Sequence, residues 1–600
     1  MTSSKRHLVA RPQSKFAGDL IKEIADSTGT AIFNINVRHA DQTTQSSNAT
    51  HQNLNFPSTN HVNYDDIFKK GYSPINIDNL TKMLSTYPNK KTAKFLEDGF
   101  KNGFSLQYTG PRVHYFANNL KSAEQAPDIV LQNINKEIDS GRVAGPFNCL
   151  PIANLRISPL GLVPKKGGDF RLIHHLSYPK DGSVNDFTPD EYCTVHYASI
   201  DDAVDLIQKL GQKALLAKSD IKSAFRLLPV WSGDFELLGF SFNKQFYFDK
   251  CLPFGSSISC SLFEKFSTFV HWAVDRSMLL PSSQIIHYLD DFLFCAKHGT
   301  TQCHELMSKF NEICHELGVP VAKEKTEGPT TRLTFLGIEF DTIHMTLKLP
   351  AEKLNEITEK IQAMLLQKKT TLKDLQSLIG SLNFACRVVN PGRAFLSRLI
   401  DATVSVHKAH HRIRVSESMK GDLKAWLEFF TNYHGTTVMP DQFWISSEQL
   451  EFFTDSAGGK YRGFGIYFQG HWAYATWPSS WVDSGLMRNI TFLELLPVVT
   501  AVIIWGQYLE NKKVIFHIDN LSVVQIINKK SSKDPCVMRL IRKLVICTLH
   551  RNILIRAEHI PGIFNDIADA ISRCQWDKFR RLAPQADPQP TPVPQEIWTI

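Results

Sequence analysis

Carboxylates placed inside apolar segments are the feature that most constrains the fold of this 600-residue chain. Two such sets occur, one around residues 215–292 and one between residues 452 and 573. An ionised carboxylate in an apolar interior is costly unless a counter-charge or a metal ion compensates it. The chain must therefore fold so that the acids of each set meet a cation.

The first set consists of Asp220, Asp290 and Asp291. Asp220 ends the apolar run ALLAKSD, and the other two lie in HYLDDFLFC, so both runs are predicted to be core strands. Adjacent side chains on a strand point to opposite faces, but a tight hairpin turn can bring both acids to one edge. Taken alone, the pair also fits a hairpin with solvated acids, and the order of the neighbouring motifs argues against that alternative.

Two further motifs flank the first set. The segment Lys165–Arg171 (KKGGDFR) lies between two apolar runs, which predicts a β-hairpin whose basic tip could hold a triphosphate. A solvated tip is the alternative. The segment Leu252–Gly255 (LPFG) lies between a predicted strand and a predicted helix, and its glycine lets the backbone approach a flat ligand such as a base pair.

Over about residues 130–345 these motifs resemble, in unbroken order, the reverse transcriptases of retroviruses and LTR-type retroelements. SPLGLVPKKGGDFRLIHHLS resembles their fingers, SDIKSAF the first palm motif, LPFGSSISCSLF the next, and YLDD the catalytic hairpin. LGVPVAKEKTEGP and LTFLGIEF resemble the two motifs that follow. The resemblance implies that Asp220, Asp290 and Asp291 are catalytic metal ligands. It also implies these substrate-binding residues: Lys165, Lys166, Arg171, Phe225, Pro253, Gly255 and Lys325.

The resemblance also implies individual roles. Arg171, with Lys165 or Lys166, would bind the incoming triphosphate, and Lys325 would lie near the pyrophosphate leaving group. Phe225 would block a ribose 2′-hydroxyl, with simple core packing as the alternative. Phe254 departs from the retroviral pattern, which has glutamine there, although other LTR-type elements also carry phenylalanine.

The second set follows a different order of elements. FFTDS, GFGIYFQG and HWAYATWP are predicted strands, followed by the helix TFLELLPVV, the strand KVIFHIDN, two helices, the strand ILIRAEH and a last helix. A structural role would explain any one acid, but it explains poorly all four at these places. The acids of the set are Asp455, Glu494, Asp519 and Asp569.

This order resembles the ribonuclease H fold over about residues 443–575. The resemblance implies that Asp455, Glu494, Asp519 and Asp569 are metal ligands and that His559 is the mobile catalytic histidine. The spacing from Asn565 favours Asp569 over the neighbouring Asp566 as the fourth ligand.

The predicted fold class is α+β multidomain, a right-hand polymerase with fingers, palm and thumb followed by a ribonuclease H-like α/β domain. The first two predicted segments are a disordered polar segment at 1–65 and a helical extension at 66–130. The others are fingers and palm at 131–345, thumb and connection helices at 346–440, a ribonuclease H domain at 441–575, and an extended, unpacked Pro-rich tail at 576–600.

Composition excludes some classes of protein. With 43% hydrophobic and 21% charged residues the chain can bury a core, and its net charge of +8 leans towards a polyanionic partner. Eleven scattered cysteines make no disulfide framework, which predicts an intracellular protein of the cytoplasm, the nucleus or both. No signal peptide or membrane-spanning run is expected, so we expect no membrane partner, and Leu495–Trp505 is predicted to be a buried helix.

The sequence therefore predicts a retrotransposon RNA-directed DNA polymerase with ribonuclease H activity. Its expected partners are an RNA template, a DNA primer, the RNA–DNA hybrid and dNTPs, with two Mg²⁺ per active site and Mn²⁺ as an alternative. A domesticated, non-catalytic nucleic-acid-binding protein is the first alternative, although all seven acids are present. A chain in which only the ribonuclease H is active is the second.

Two features remain open. The tail CQWDKFRRLAPQADPQPTPVPQEIW resembles that of DIRS-like tyrosine-recombinase retrotransposons, which implies an element-encoded tyrosine recombinase and a structural protein as partners. The basic segment His407–Arg414 lies between the two predicted catalytic parts. It either contacts the phosphates of a duplex or is a solvated charged face.

Overall fold

The computed structural model of the chain describes residues 67–599 except 166–167, 281, 434–435, 440–442, 460–461 and 484. The predicted disordered segment 1–65 and Lys166 lie outside the described residues. The chain divides into two compact units, Met1–Gly337 and Ile338–Ile600. Both units combine helices with sheets, which confirms the predicted α+β multidomain class.

The first unit contains eight described helices and twelve described strands. The helices are α1 (Ile77–Leu84), α2 (Lys90–Asn102), α3 (Lys121–Glu124), α4 (Pro127–Asp139), α5 (Asp190–Cys193), α6 (Ile200–Leu210), α7 (Ser259–Met278) and α8 (Gln302–Leu317). The strands are β1 (Tyr115–Phe116), β2 (Val143–Phe147), β3 (Arg156–Ile157), β4 (Leu160–Pro164), β5 (Phe170–His174), β6 (Leu215–Asp220), β7 (Gly239–Phe242), β8 (Gln245–Asp249), β9 (Ile285–Tyr288), β10 (Asp291–Ala296), β11 (Glu327–Thr330) and β12 (Arg332–Phe335).

Three sheets organise the first unit. One has the strand order β1-β3-β7-β8-β2, a second has the order β11-β6-β10-β9, and β4 and β5 form a separate hairpin. The second sheet carries the first set of acids. The strands β6 and β10 at its centre are mostly buried, and β10 is apolar on both faces after its first residue, Asp291.

The segment predicted as a helical extension, residues 66–130, contains α1, α2 and α3 but also the strand β1. β1 pairs in parallel with β3, and the backbone N–H of Leu106 donates to Asp234 Oδ2 at 2.8 Å. These contacts place the segment in the first unit together with the predicted fingers and palm.

The second unit contains ten described helices and eleven described strands. The helices are α9 (Ala351–Leu366), α10 (Leu372–Ala385), α11 (Ser397–Asp401), α12 (Glu417–Tyr433), α13 (Ser479–Asp483), α14 (Ile490–Trp505), α15 (Leu521–Lys529), α16 (Pro535–His550), α17 (Asp566–Ser572) and α18 (Trp576–Leu582). The strands are β13 (Ile338–Asp341), β14 (Thr346–Lys348), β15 (Lys369–Thr371), β16 (Arg412–Arg414), β17 (Thr436–Val438), β18 (Trp444–Ser446), β19 (Phe452–Ser456), β20 (Gly463–Phe468), β21 (His471–Thr476), β22 (Lys513–Ile518) and β23 (Leu554–His559).

Two three-stranded sheets of this unit carry Asp455 and Asp519 of the second set, while Glu494 and Asp569 lie on the helices α14 and α17. β19, β20 and β21 are antiparallel neighbours, and β18, β22 and β23 run parallel. The sequence predicted this succession except for β18. The helix α17 approaches β20 closely: a Cβ on Gly465 would lie only 2.6 Å from the carbonyl oxygen of Ala568.

The helix α14 is the most apolar of the second unit. Among the described residues, the stretch Ile490–Leu509 is long and apolar enough, by length and composition, to cross a membrane. Leu495 and Trp505 are buried, and 67% of its most apolar window is buried inside the protein. This burial agrees with the prediction of a buried helix for Leu495–Trp505.

The Pro-rich tail is packed, so the prediction of an unpacked tail is wrong. Residues 584–594 form neither helix nor strand, but the backbone N–H groups of Asp587 and Thr591 donate to the carbonyl oxygens of Gly470 and Trp472 at 2.9 and 2.7 Å. Ile597 is fully buried in the 3-10 turn Gln595–Thr599. The tail packs because its backbone pairs beside β21 and its last apolar residues complete the core.

The packing of the tail predicts that its buried side chains contribute to the free energy of unfolding of the second unit. Replacing Ile597 by Ala should destabilise the second unit by about 2–4 kcal/mol, because a fully buried aliphatic side chain is lost. Urea unfolding followed by tryptophan fluorescence measures the change. Leu582→Ala is the control, because this side chain is 43% exposed and should lose less than about 1 kcal/mol. Equal, small losses in both variants would contradict the packed tail.

Candidate active sites

The first set of acids meets at one edge of a sheet. β6 and β10 are antiparallel neighbours, and their register places Asp220 opposite Asp291. Asp290 lies in the turn between β9 and β10, and its carbonyl oxygen accepts from the backbone N–H of Ile221 at 3.0 Å. The hairpin thus brings to one edge three acids that a straight strand would have separated.

Glu264, on α7, stabilises the turn of this hairpin through a hydrogen bond. Leu289 adopts a left-handed conformation with φ of 53°, and its N–H donates to Glu264 Oε2 at 3.2 Å. The other oxygen of Glu264 lies 3.1 Å from His287 Nε2. Neither Glu264 nor His287 was predicted as functional. Glu264 lies far in sequence from the hairpin turn that it contacts, so no local pattern indicates the contact.

Burial and mutual repulsion disfavour full ionisation of these acids. Burial raises the pKa of Asp290 to about 7, and the neighbouring charge of Asp220 adds to this effect. Burial also raises the pKa of Asp291, together with the charges of Asp290 and Asp220. Such a cluster is stabilised in its ionised form by added positive charge.

A cavity of about 250 Å³ opens beside these acids. Asp220 and Asp290 line one part of it. The predicted substrate-binding residues that line it are Lys165, Arg171, Phe225, Pro253 and Lys325. The hairpin of β4 and β5 supplies Lys165 and Arg171, so the structure gathers basic side chains and acids around one space.

The ring of Phe254 packs against the side chain of Arg171. The Arg171 guanidinium lies 4.8 Å from the centre of its ring, which is a cation–π distance. An aromatic residue at this position therefore orients one of the predicted triphosphate-binding cations.

The neighbouring Gly255 has a structural reason to be glycine. Its φ is 118°, and a Cβ there would lie 2.0 Å from the carbonyl oxygen of His174. The close approach is thus to strand β5 of the same unit. Whether its backbone also approaches a base pair stays a prediction.

Lys325 contacts one of the acids. Its ammonium donates to Asp220 Oδ2 at 2.7 Å, and the lysine side chain is 59% exposed. Burial alone would lower the pKa of Lys325, but the hydrogen bond and charge of Asp220 outweigh it and raise this pKa. Its predicted place near a leaving pyrophosphate stays a prediction.

The second set of acids also converges. One carboxylate oxygen each from Asp455, Glu494 and Asp519 lies within 4.8 Å of the others, close enough to share a metal ion. Asp455 comes from β19, Glu494 from α14, and Asp519 directly follows β22. This candidate metal centre contains only carboxylate oxygens, the ligands that Mg²⁺ prefers.

The electrostatics of the second site resemble those of the first. Burial raises the pKa of Glu494 to about 9, helped by Asp455 and Asp519. Burial raises the pKa of Asp455 to about 6, although Ser572 Oγ donates to its Oδ2 at 2.5 Å. Burial also raises the pKa of Asp519. The three acids together therefore favour a bound cation.

The other predicted members of the second site lie near the three acids. Asp569, on α17, is not part of the group of three in the described part of the chain, and its carboxylate accepts from Arg573 Nε. His559 is exposed, and its Nε2 lies 3.2 Å from the carbonyl oxygen of Asp519. Asn565 is buried and donates to the carbonyl oxygen of Thr454 at 2.9 Å, next to Asp455.

The basic segment His407–Arg414 contributes a strand. β16 pairs antiparallel with β15, so that Lys369 lies opposite Arg414. Ile413 is buried while Arg412 and Arg414 are exposed, so the arginines share one outer face. The sequence did not predict the contribution of Lys369, because only strand pairing brings it there.

Comparison with known proteins agrees with the first site. Residues 163–340 match the family described as reverse transcriptase (RNA-dependent DNA polymerase). The chain contains a reverse transcriptase domain. With the mixed architecture of helices and sheets, this match supports the predicted polymerase fold, and Asp220, Asp290 and Asp291 all lie within the matched reverse transcriptase domain.

Relatives of the chain occur in viruses and retroelements. Protein P of heron hepatitis B virus is 28% identical over 187 residues, covering 30% of this chain and 23% of that protein. A putative enzymatic polyprotein of Cassava vein mosaic virus is 30% identical over 179 residues, covering 30% and 25%. The transposon Tf2-7 polyprotein of Schizosaccharomyces pombe is 22% identical over 455 residues, covering 74% and 30%. The chain thus spans less than a third of the length of these relatives.

Solved structures of foamy viral protease-reverse transcriptase are also similar. One, in complex with double-stranded DNA, has a TM-score of 0.44 at 16% identity and covers 80% of this chain and 81% of that chain. Another, in complex with RNA/DNA hybrid, has a TM-score of 0.42 at 16% identity and covers 80% and 62%.

Proposed function

We propose that the chain is an RNA-directed DNA polymerase of a retroelement that extends a DNA primer on an RNA template. The observation that carries the proposal is that Asp220 and Asp290 line a cavity together with basic side chains, while Asp291 lies opposite Asp220 on the neighbouring strand. Acids and bases placed in this way fit a triphosphate and the metal ions that accompany it. Primer extension on an RNA template tests the proposal.

The acids of the first site fit divalent metal ions. They offer only hard oxygen ligands. Burial raises the pKa values of Asp290 and Asp291, and the positive charge of a bound ion would lower these pKa values again. Asp220, Asp290 and Asp291 would hold the ions, with Mg²⁺ as the proposed ion and Mn²⁺ as an alternative. Bound ions would supply charge stabilisation at the transferring phosphoryl group.

The chain's own residues would orient the reactants. Lys165 and Arg171 line the cavity and would bind phosphate oxygens of the incoming nucleotide, with Arg171 held by the Phe254 ring. The primer hydroxyl would attack the α-phosphorus in line, and pyrophosphate would leave. Lys325 would move from Asp220 to the charge of the leaving pyrophosphate.

The position of Phe225 leads to a prediction about the selection of deoxyribonucleotides over ribonucleotides. Its ring lines the cavity, is 1% exposed and packs 5.5 Å from the Phe254 ring centre. A rigid ring beneath the sugar would collide with a ribose 2′-oxygen, so Phe225→Ala should lower the ratio of dNTP to rNTP incorporation efficiency by about ten- to a thousandfold. Single-nucleotide extension on one RNA template measures this ratio.

Phe235→Ala is the matched control for the sugar prediction. It removes an equally buried ring that does not line the cavity, and it should leave the ratio unchanged. If Phe225→Ala lowers both efficiencies equally and keeps the ratio, Phe225 is a packing residue only.

We propose ribonuclease H activity as a second function of the same chain. The convergence of Asp455, Glu494 and Asp519 within 4.8 Å supports it, as does the order of strands and helices that carries them. Asp569 is proposed as a fourth ligand, and His559, which is exposed beside Asp519, as the mobile catalytic residue. Metal-activated water would cleave the RNA strand of a hybrid.

We further propose the origin, location and partners of the chain. A DIRS-like tyrosine-recombinase element, with its own recombinase and structural protein, is supported by the sequence of the tail. RNA template, DNA primer, hybrid and dNTPs are the proposed substrates. None of the eleven cysteines, all of which lie in the described part of the chain, forms a disulfide, which fits the proposed intracellular location in the cytoplasm, the nucleus or both.

The ribbon of β15 and β16 makes a prediction about binding. If the segment His407–Arg414, which includes β16, contacts the hybrid, replacing Lys408, Arg412 and Arg414 by Gln should reduce the slope of log affinity against log salt by up to about 3, because fewer counterions are released. Fluorescence anisotropy with a labelled hybrid measures the slope. Replacing the exposed Lys82, Lys91 and Lys94 by Gln removes the same charge elsewhere and is the control. Equal slopes for wild type and ribbon variant would show a solvated face.

A further inference from the structure

A network of charged groups, with Arg226 at its centre, forms part of the lining of the cavity of the first site. Arg226 directly follows Phe225 in the 3-10 turn Ala224–Leu227 and is 5% exposed. Its Nε donates to Glu137 Oε2 at 2.9 Å, and its Nη1 donates to Asp249 Oδ1 at 2.7 Å. Burial opposes the charge of Asp249, but Arg226 outweighs this and holds the pKa of Asp249 below its usual value.

The network continues to strand β5. The second carboxylate oxygen of Asp249 lies 2.9 Å from His174 Nδ1, and His174 Nε2 lies 3.0 Å from the carbonyl oxygen of Gly239. His174 is therefore held at both ring nitrogens, and it is 3% exposed. Buried, charge-assisted hydrogen bonds of this kind fix the relative positions of the elements that carry them.

These bonds connect three walls of the cavity. Arg226 Nη1 also donates to the carbonyl oxygen of Cys251 at 3.1 Å, two residues before Pro253. The backbone N–H of His174 donates to the carbonyl oxygen of Phe254 at 2.9 Å. The turn that carries Phe225, the segment 251–254 and β5 are thus tied to one network.

We propose that Arg226 is a positioning residue for sugar selection: its guanidinium fixes the turn of Phe225 against the segment of Phe254 and so sets the space left for the nucleotide sugar. The proposal rests on the proposed polymerase function and on the sugar-blocking role of Phe225. Lysine cannot replace Arg226, because a compact ammonium lacks the planar fork that reaches Glu137 and Asp249 together.

Single-nucleotide extension on an RNA template tests the proposal. Arg226→Lys should lower the ratio of dNTP to rNTP efficiency about tenfold, through a looser position of the Phe225 ring. In a Phe225→Ala background the same substitution should change the ratio less than about twofold, because the ring through which Arg226 acts is gone. Separate kcat and KM values show whether rNTP use improves.

Arg112→Lys is the matched control. The Arg112 guanidinium contacts Asp234 at 2.6 Å and Glu236 at 2.9 Å in the same unit, and Arg112 does not line the cavity. This variant loses a similar ion-pair network and should keep the wild-type ratio. A general loosening of the unit would lower the ratio in both variants and would overturn the proposal.

Other outcomes are equally decisive. Three results would overturn the proposal without contradicting the polymerase function. The ratio of dNTP to rNTP efficiency could stay unchanged in Arg226→Lys, or it could stay unchanged in Phe225→Ala. Arg226→Lys could also change this ratio equally with and without the Phe225 ring. If Arg226→Lys does not fold, Asp249→Asn replaces it under the same criteria, because it removes the charge and keeps the side-chain shape. A wild-type chain that incorporates no dNTP would contradict the polymerase function itself.

Discussion

Replacing Asp290 by Asn is expected to reduce primer extension on an RNA template by about a thousandfold or more. The side chain keeps its size, but the site loses one of the negative charges that would hold a divalent ion. The hairpin itself should persist, because Asp290 holds β6 through its carbonyl oxygen, which accepts from Ile221. The rate of single-nucleotide incorporation measures the loss.

Two further measurements make this prediction specific. The Asp290→Asn chain should cleave the RNA of a hybrid within about tenfold of the wild-type rate, because the second set of acids is untouched. Asp181→Asn is the control for the polymerase activity, since Asp181 is an exposed acid of the same unit and should extend primers normally. If Asp290→Asn extends primers at more than a tenth of the wild-type rate, the assignment of Asp290 as a metal ligand of the polymerase site is wrong.

Replacing Asp519 by Asn should have the converse effect. Cleavage of the RNA in a hybrid should fall by about a thousandfold or more, since one member of the group of three acids loses its charge. Primer extension should remain within about tenfold of wild type. A hybrid with a labelled RNA strand reports cleavage, and the same preparation is assayed for extension.

Asp566→Asn is the control for the nuclease. Asp566 lies on the same helix as Asp569, but its carboxylate is exposed and pairs with Lys578 at 2.9 Å. This variant should cleave normally. A folded Asp519→Asn chain that loses both activities equally would contradict the assignment of two separate sites.

The sequence predicted those parts of the sites that depend on local patterns. Asp220 at the end of an apolar run and the hairpin around Asp290 follow from where acids interrupt strands, and the structure places both at one sheet edge. The convergence of Asp455, Glu494 and Asp519 followed from a resemblance that covers the whole order of strands and helices. Asp569 and His559 stay predictions.

Features that depend on tertiary packing could not be predicted. Arg226, Asp249 and His174 come from separate segments, and no local pattern relates them before the chain folds. The contact of Lys325 with Asp220 has the same origin. The packing of the tail has the same origin, because its prolines indicate a segment without regular secondary structure but do not reveal that Ile597 reaches the core.

The most direct test of the account is RNA-templated primer extension by the wild-type chain. A labelled DNA primer annealed to an RNA template is incubated with the four dNTPs, with and without Mg²⁺. The account predicts stepwise extension that requires the dNTPs, the RNA template and the metal ion. A folded wild-type chain that binds the hybrid but adds no nucleotide with either Mg²⁺ or Mn²⁺ would contradict it.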